Sequence, residues 1–200
     1  RRSKQEYLIL TNSETVYNMN FDDALRYHID NHADMTLIYT KAGNIRFDQQ
    51  VTDRHAYLDV DNRGNVVDYE SGPVEPTYDN FYMDVLIIRR EMLAHLVDQA
   101  VAHGERDFGK DIIQSHIRTG DMKIMGYEYK GYACRIESVL SLFRFNMDML
   151  DVKTRYEMFN VNPVYTKVRD EVPAKYMHDS SAVNSLVADG CVIEGHIENS

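Results

Sequence analysis

A short apolar run at residues 7–10 gives way abruptly to a polar stretch at residues 11–14. Such a run is typical of a strand buried on both faces of a sheet, although its length is also compatible with a helix. Asn20 favours a helix start as a capping residue, and two acidic residues follow in the first turn. Residues 34–40 are rich in β-branched and aromatic side chains and predict another strand. The strand–helix–strand order predicts a parallel pair with a right-handed crossover.

The polar stretch at residues 11–14 is the expected place of a functional site. Open α/β sheets bind ligands beyond the carboxyl ends of their strands, and this stretch follows the first strand directly. It offers two hydroxyls, an amide and a single charged side chain, Glu14. Any function assigned to the chain has to be compatible with this loop.

The remaining pattern continues the alternation of strands and helices. Gly64 can supply the positive φ of a hairpin turn, Asp84 interrupts the most apolar strand, and Gly104 can end a helix. The predicted elements are strands at 57–60, 66–69 and 81–88, a helix at 89–102, a turn into a short helix at 107–113, strands at 123–129 and 132–136, and a helix at 139–150. The last helix has apolar residues at core spacing, namely Leu140, Phe143, Met147 and Leu150.

The pattern changes near the end of the chain. Residues 162–177 show no periodicity, contain two prolines and are predicted to be a linker. Beyond them, apolar residues recur about six positions apart, as Val187 and Ile193 do, which is similar to a hexapeptide β-helix. The sequence therefore predicts a domain at 1–161, a linker at 162–177 and the first coil of a β-helix at 178–200.

Composition limits the possible partners and compartment. The net charge of −10 argues against nucleic acid, since phosphate contacts need clustered Lys and Arg. Cys134 and Cys191 form no metal-binding or redox motif, so we expect free thiols in a reducing, cytoplasmic compartment. No apolar stretch approaches the roughly 20 residues of a membrane span, and no signal peptide is recognisable. The absence of an initial Met suggests an excised fragment.

Several polar clusters could form sites, but each has a plainer structural explanation. His28 and His32 could share a metal, although solvated positions on a helix face explain them better because no carboxylate or Cys completes a ligand set. Ser13 lacks a local base and the glycines of a nucleophile elbow. Asp59, Asp61 and Asp68 are expected to be turn residues or outward-facing strand residues. Tyr127, Tyr129 and Tyr132 are expected to form a half-buried strand face, and Met147, Met149 and Met158 to fill the core.

Asp107 is the most promising polar residue. Its carboxylate lies just before a Phe-Gly pair at a strand-to-helix turn, where it could accept hydrogen bonds from sugar hydroxyls. Capping the helix that follows is an equally good explanation.

Seven segments together resemble a known family. They are, in order, EYLILTNSE, DYESGP, FYMDVLII, DFGKDII, GYEYKGY, NMDML and SSAVNSLVADGCVIEG. The chain resembles ADP-glucose pyrophosphorylase, the glucose-1-phosphate adenylyltransferase of glycogen synthesis, and is most similar to its GlgD-type subunits. The resemblance implies a doubly wound, mixed-sheet nucleotidyltransferase domain followed by a left-handed parallel β-helix. It also implies attack of a sugar phosphate on the α-phosphate of ATP, with Mg²⁺ neutralising the developing charge.

The chain departs from the family pattern at the positions that handle metal and phosphate. Ser13 stands where active members carry a metal-binding Asp, and a neutral hydroxyl is a poor ligand for Mg²⁺. Gly72 stands where they carry a phosphate-clamping Lys. The second metal Asp aligns near Arg135, and Asp84 replaces a glycine beside the phosphate. Restoring both residues, as Ser13→Asp with Gly72→Lys, is expected to recover weak metal-dependent sugar-phosphate binding.

The residues that remain predict a vestigial sugar-phosphate pocket. Asp107 matches a sugar-contacting Asp, and Glu70 and Tyr82 are expected to line the same pocket, where Tyr82 would crowd the sugar. No metal or other cofactor is expected in this chain. The resemblance thus implies an inactive regulatory subunit that associates with a catalytic subunit, or with itself, and responds to a sugar-phosphate effector.

Two other readings stay open. The first is an active nucleotidyltransferase in which Glu14 or Glu137 serves as a displaced metal ligand. The second is a hexapeptide-repeat acyltransferase, for which His196 is the only candidate base within the repeat.

Overall fold

The computed structural model describes residues 4–167 and 170–200. The strands are β1 (Tyr7–Thr11), β2 (Thr15–Tyr17), β3 (Met35–Lys41), β4 (Ile45–Arg46), β5 (Ala56–Val60), β6 (Val66–Ser71), β7 (Asn80–Arg89), β8 (Ile124–Glu128), β9 (Ala133–Arg135), β10 (Lys175–Tyr176), β11 (Ser181–Val183), β12 (Val192–Ile193) and β13 (His196–Glu198). The α-helices are α1 (Phe21–Asp30), α2 (Arg90–His103), α3 (Gln114–Thr119), α4 (Val139–Asp148) and α5 (Val152–Phe159). A π-helical turn, Phe108–Ile113, leads into α3.

The main sheet is mixed and has the order β6-β5-β7-β3-β8, with β1 also paired to β7. β3 and β8 are parallel, whereas β7 runs antiparallel to β1, β3 and β5. The predicted β1–β3 pair is therefore wrong. The two strands point the same way, but β7 lies between them because the same residues of β7 bond to β1 on one edge and to β3 on the other.

Apolar side chains cover both faces of the main sheet. On one face, α2, α3 and the π-helical turn pack over residues such as Leu37, Leu58 and Leu86. On the other face, α1 packs over residues such as Phe81 and Met83. This arrangement confirms the α/β prediction and is consistent with a nucleotidyltransferase domain. A second, smaller sheet has the order β2-β9-β4.

The local signals at the ends of the predicted helices and turns are confirmed. The Asn20 side chain accepts a hydrogen bond from the Asp22 amide and caps α1. Gly64 has a φ of +84° in the β5–β6 hairpin, and Gly104 ends α2 with a φ of +74°. These positions depend on interactions within a few residues of sequence, so the sequence alone could place them.

Two burial predictions are wrong. Ile9 and Leu10 are 40% and 37% exposed, because β1 pairs within the described chain only with β7. In the helix predicted at 139–150, Leu140 and Phe143 are 43% and 58% exposed, while Met147 and Leu150 are half-buried. The apolar spacing of α4 is real, but the described residues do not cover it.

The C-terminal residues form two short parallel pairs, β10 with β12 and β11 with β13. Successive parallel pairs are compatible with the expected β-helix coil, but they do not establish its type or hand. β10 lies inside the predicted linker, and residues 168–169 of that linker lie outside the described residues. Within the described ranges, no helix has both the length and the apolar character needed to cross a membrane.

Candidate functional site

A cavity of about 590 Å³ lies where β1 ends, beside the middle of β7. The end of β6 and the π-helical turn close its other sides. Its lining combines aromatic, carboxylate and amide side chains with one arginine: Thr11, Asn12, Asp53, Arg54, His55, Tyr69, Ser71, Tyr82, Asp84, Asp107 and Phe108. The first polar loop thus borders a cavity, as its position after β1 predicts.

Asp84 lies at a β-bulge that turns its side chain towards this cavity. Its φ is +55°, which is uncommon for a residue other than glycine. Val85 pairs with Ile38 and Tyr82 with Tyr39, so two residues of β7 bulge out between these pairs. The Asn12 amide donates to the Asp84 carbonyl at 3.2 Å, and Asn12 Nδ2 donates to Asp84 Oδ2 at 3.1 Å. The loop after β1 is therefore fastened to the bulge.

Arg135 is a buried cation in contact with three carboxylates. Its Nη1 lies 2.7 Å from Asp84 Oδ2, its Nε 3.2 Å from Glu137 Oε2, and its Nη2 3.6 Å from Glu14 Oε2. Only 3% of the residue is exposed. Since Coulomb attraction strengthens as solvent is removed, these ion pairs are stronger than pairs exposed to water.

A buried histidine extends the charge network. His55 Nε2 lies 2.9 Å from Glu137 Oε1, and the Asp48 amide donates to the same oxygen at 3.0 Å. The His55 ring packs against Phe47 and Phe81. Glu137 is completely buried, so these contacts provide the compensation that a buried carboxylate requires.

The protonation of the cavity groups follows their burial. Burial raises the pKa of the Asp84 carboxyl, and the nearby Arg135 guanidinium counters part of that rise. Burial also raises the pKa of Tyr82 well above its ordinary value, with a smaller contribution from the Asp84 charge. Tyr82 is therefore a neutral phenol at physiological pH, unsuited to act as a base.

The structure brings some predicted site residues to the cavity and places others elsewhere. Asp107 and Tyr82 line it. Gly72 lies against the backbone of Asp53, one of the lining residues. Ser13 is exposed and is not among the lining residues.

Glu70 also lies away from the cavity. Its carboxylate accepts hydrogen bonds from the amide and hydroxyl of Thr77. Residues alternate between the two faces of a strand, and the neighbours Tyr69 and Ser71 are the β6 residues that line the cavity. The Glu70 side chain therefore lies on the face of β6 opposite to the cavity that it was expected to line.

Asp107 has the capping role that the sequence allowed. Its side chain accepts a hydrogen bond from the Lys110 amide at 3.0 Å and so caps the π-helical turn. It also lines the cavity, so capping and ligand contact are compatible in this position.

The two histidines proposed as a metal pair differ in their surroundings. His28 is 1% exposed and its Nδ1 lies 2.8 Å from Thr36 Oγ1, so its reading as a solvated residue is wrong. His32 is exposed and follows the end of α1. Within the described ranges, no group of three or more His, Cys, Asp or Glu side chains is placed to hold a metal ion.

The remaining candidates mostly have structural contacts. Asp61 accepts hydrogen bonds from two hairpin amides, which confirms its turn role, and Asp68 accepts one from the Tyr78 hydroxyl. Met149 and Met158 are buried, as core residues should be. His196 Nδ1 lies 2.7 Å from the Ser181 hydroxyl on the neighbouring exposed strand.

Two residues of the tyrosine group line a second cavity. Tyr127 and Tyr129 line a space of about 860 Å³ together with Tyr27 and Tyr39. Tyr129 also donates a hydrogen bond to the Asn18 carbonyl, and Tyr132 donates one to Asp148 Oδ2. These tyrosines are thus partly buried on strands as predicted, and in addition they line a cavity or donate hydrogen bonds.

The network around Arg135 is the feature that sequence reasoning largely missed. Apart from Arg135 and Glu137, its charged members lie far apart in the chain, and the sequence shows no local spacing that would connect them. Alignment with the resembling family placed Arg135 near a metal-binding position. It could not show that the arginine is buried or which carboxylates it contacts.

Comparison with known proteins agrees with the resemblance seen in the sequence. No family model matches the chain. It is 28% identical over 98% of its length to a glucose-1-phosphate adenylyltransferase of Geobacillus stearothermophilus, and 26% identical over 98% to one of Clostridium novyi. The chain is thus similar over nearly its whole length to glucose-1-phosphate adenylyltransferases.

The glycogen biosynthesis protein GlgD of Bacillus subtilis is equally similar, at 28% identity over 99% of the chain. Similarity alone therefore does not separate a GlgD-type from a catalytic relative. The chain spans about half the length of the curated relatives it matches, 50% of the Geobacillus protein and 46% of GlgD.

Proposed function

We propose that this chain is part of a regulatory, catalytically inactive subunit of glucose-1-phosphate adenylyltransferase that acts in glycogen biosynthesis. The observation that carries the proposal is the charge arrangement at the cavity. Its carboxylate Asp84 is paired with the buried cation Arg135, and glycine occupies the position aligned with the phosphate-clamping lysine. Phosphoryl chemistry needs cationic groups free to face the transferring phosphate.

The cation that lines the cavity, Arg54, and the buried Arg135 beside it both pair with protein carboxylates. Arg135 contacts three of them, and Arg54 Nη1 lies 3.5 Å from Glu14 Oε1. The same pairings also engage Glu14 and Glu137, the residues considered as displaced metal ligands. This engagement favours an inactive site over an active one with relocated ligands.

An exposed apolar surface on α4 supports association with another protein chain. Val139, Leu140, Leu142 and Phe143 are all exposed on this helix. Contiguous exposed apolar residues of this kind are typical of protein–protein contact surfaces. We propose the catalytic subunit as the partner, with a second copy of this chain as the alternative.

A pyrophosphate-release assay on the full-length protein tests the proposal. With ATP, glucose 1-phosphate and Mg²⁺, the purified protein is expected to show no turnover alone and to change the kcat or KM of the co-expressed catalytic subunit. The matched control is the catalytic subunit alone at the same concentration. Turnover by the purified protein at a rate typical of enzymes, on the order of 1–10³ s⁻¹, contradicts the proposal.

A further inference from the structure

The cavity of about 860 Å³ beside β8 shares no lining residue with the cavity at the end of β1. It lies where β8, the last strand in the order of the main sheet, ends, and it is bordered by α1, the β5–β6 hairpin and the end of α5. Its volume falls within the roughly 300–1,000 Å³ typical of small-molecule sites. We call it the tyrosine cavity after its four aromatic side chains, Tyr27, Tyr39, Tyr127 and Tyr129.

Three tyrosine hydroxyls in this cavity are available to a ligand. Those of Tyr27, Tyr39 and Tyr127 make no hydrogen bond to another described residue, whereas the Tyr129 hydroxyl donates to the Asn18 carbonyl at 3.0 Å. Burial raises the pKa of each of the three available phenols, and a nearby carboxylate raises it further. They are therefore neutral at physiological pH, and each can both donate and accept a hydrogen bond.

The tyrosine rings also give the cavity an apolar surface. The Tyr27 and Tyr127 rings meet edge to face, with centroids 5.4 Å apart and planes at 63°. The Tyr39 ring and the Val60 side chain lie directly over Gly126, where an added Cβ would be 3.0 Å from each of them. Aromatic rings beside hydrogen-bonding groups suit a ligand that has both C–H surfaces and polar groups.

The unpaired charges in the tyrosine cavity favour a neutral ligand. Three of its four lining carboxylates already have partners in the chain, namely Asp23, Asp61 and Glu157. Glu128 and Lys130 have no ion pair with another described residue, and their opposite charges balance. A phosphate or another anion would meet four carboxylates and one lysine, and like-charge repulsion disfavours it.

We propose that the tyrosine cavity binds a neutral oligosaccharide. Sugar hydroxyls both donate and accept hydrogen bonds, which matches the available phenols, the Glu128 carboxylate and the Asn62 amide. The C–H faces of the sugar rings pack against the tyrosine rings. The site does not depend on the proposed function, because it uses no residue of the first cavity and needs no catalytic step.

Isothermal titration calorimetry of the full-length protein tests the site, with maltotriose, cellotriose, mannotriose and triacetylchitotriose as neutral probes. At least one trisaccharide is expected to bind with a Kd below about 1 mM. Y39F is expected to raise that Kd about two- to tenfold, the range of one lost neutral hydrogen bond. Y127A should raise it by more than about tenfold, because ring surface and hydroxyl are both lost.

The matched control is Y176A, which deletes an exposed tyrosine on β10 that does not line the cavity. Its Kd for the trisaccharide is expected to equal that of the wild type. Circular dichroism establishes whether Y127A is folded. If it is not, Y39F and Y27F decide, because each keeps its ring and loses only the hydroxyl.

Three outcomes overturn the proposal. The first is that none of the trisaccharides binds at millimolar concentration. The second is binding that Y39F, Y27F and a folded Y127A leave unchanged. The third is tighter binding of spermidine or inorganic phosphate that the same variants weaken, since the cavity would then hold a charged ligand.

The pyrophosphate-release assay keeps this site distinct from the proposed function. Wild-type turnover contradicts the inactive-subunit proposal whatever the tyrosine cavity binds. Failure of every trisaccharide to bind overturns the carbohydrate site even where the wild type is inactive.

Discussion

Gly72 illustrates how one backbone conformation limits what a substitution can restore. Its φ is +64°, and a Cβ added there would lie 3.3 Å from the Asp53 carbonyl oxygen. Its amide also donates to the His55 carbonyl at 2.7 Å. The Gly72→Lys change suggested by alignment therefore brings a backbone penalty together with the missing charge.

We expect G72K and G72A to reduce the free energy of unfolding by about 1–2 kcal/mol, because residues with a Cβ disfavour the left-handed conformation. Urea denaturation of both variants measures this loss. The control is G43A, since Gly43 lacks a positive φ and has no neighbouring atom within 4 Å of an added Cβ. Equal stabilities of G72A and G43A contradict the prediction.

Asp84 has a left-handed backbone conformation like that of Gly72, but it is not a glycine. It keeps a positive φ of +55° although it has a side chain. Such strain persists where surrounding contacts compensate for it, and here the carboxylate is held by Arg135 and Asn12. A residue that looks like an interruption of a strand is thus a central contact of the site.

At the scale of elements, α4 differs most from its sequence pattern. Its apolar residues recur at helical spacing, but Phe143 is 58% exposed, whereas Phe81 in β7 is completely buried. Periodicity identifies an apolar face; only the surrounding chain determines whether that face is covered.

We expect F143A to change the free energy of unfolding by less than about 1 kcal/mol and F81A to reduce it by about 3–5 kcal/mol. The two substitutions delete the same side chain, so the difference reports mainly burial, with a smaller part from the helix and strand preferences of alanine. Thermal and urea unfolding of both variants provide the measurement. A loss at Phe143 as large as that at Phe81 would mean that the α4 face is covered.

The start of α4 is fastened by a short polar contact. Ser138 caps the helix, and its hydroxyl donates to Asp48 Oδ2 at 2.6 Å. This hydrogen bond is the main cause that lowers the pKa of Asp48 below its ordinary value of 3.8. The ionised carboxylate therefore contributes stability that is present above that ordinary value and is lost as the pH falls through the lowered pKa.

We expect D48N to have a lower Tm than the wild type at pH 7, because a neutral amide accepts the Ser138 hydroxyl more weakly than a carboxylate. The difference should shrink below about pH 4 as the wild-type carboxylate becomes protonated. Thermal unfolding between pH 2 and pH 7 measures it, with D98N on the exposed side of α2 as the control. A pH-independent difference contradicts the assignment.

At the scale of the whole molecule, the charge network joins the main sheet to the smaller sheet β2-β9-β4. Arg135 is on β9 of the smaller sheet, whereas Asp84 is on β7 of the main sheet. Glu137 extends the contact to His55, which is packed against the aromatic core beside β7. The positive charge of Arg135 therefore helps to hold the two sheets together.

The sequence by itself determined the features that depend on near neighbours. It predicted the strands of the main sheet, α1 and α2, the Asn20 cap and the glycine turns, because these follow from periodicity and from backbone conformations set within a few residues. It also indicated the resemblance to the adenylyltransferases and the departures at Ser13 and Gly72, because a motif is a property of consecutive residues.

Only the tertiary structure decided which elements are neighbours and which side chains meet. It placed β7 between β1 and β3, exposed the apolar face of α4, and turned Glu70 away from the cavity beside Ser71. It also brought Arg135 to its three carboxylates. These outcomes depend on contacts between residues distant in the chain, where pairing register and burial are set by the packing of the whole domain.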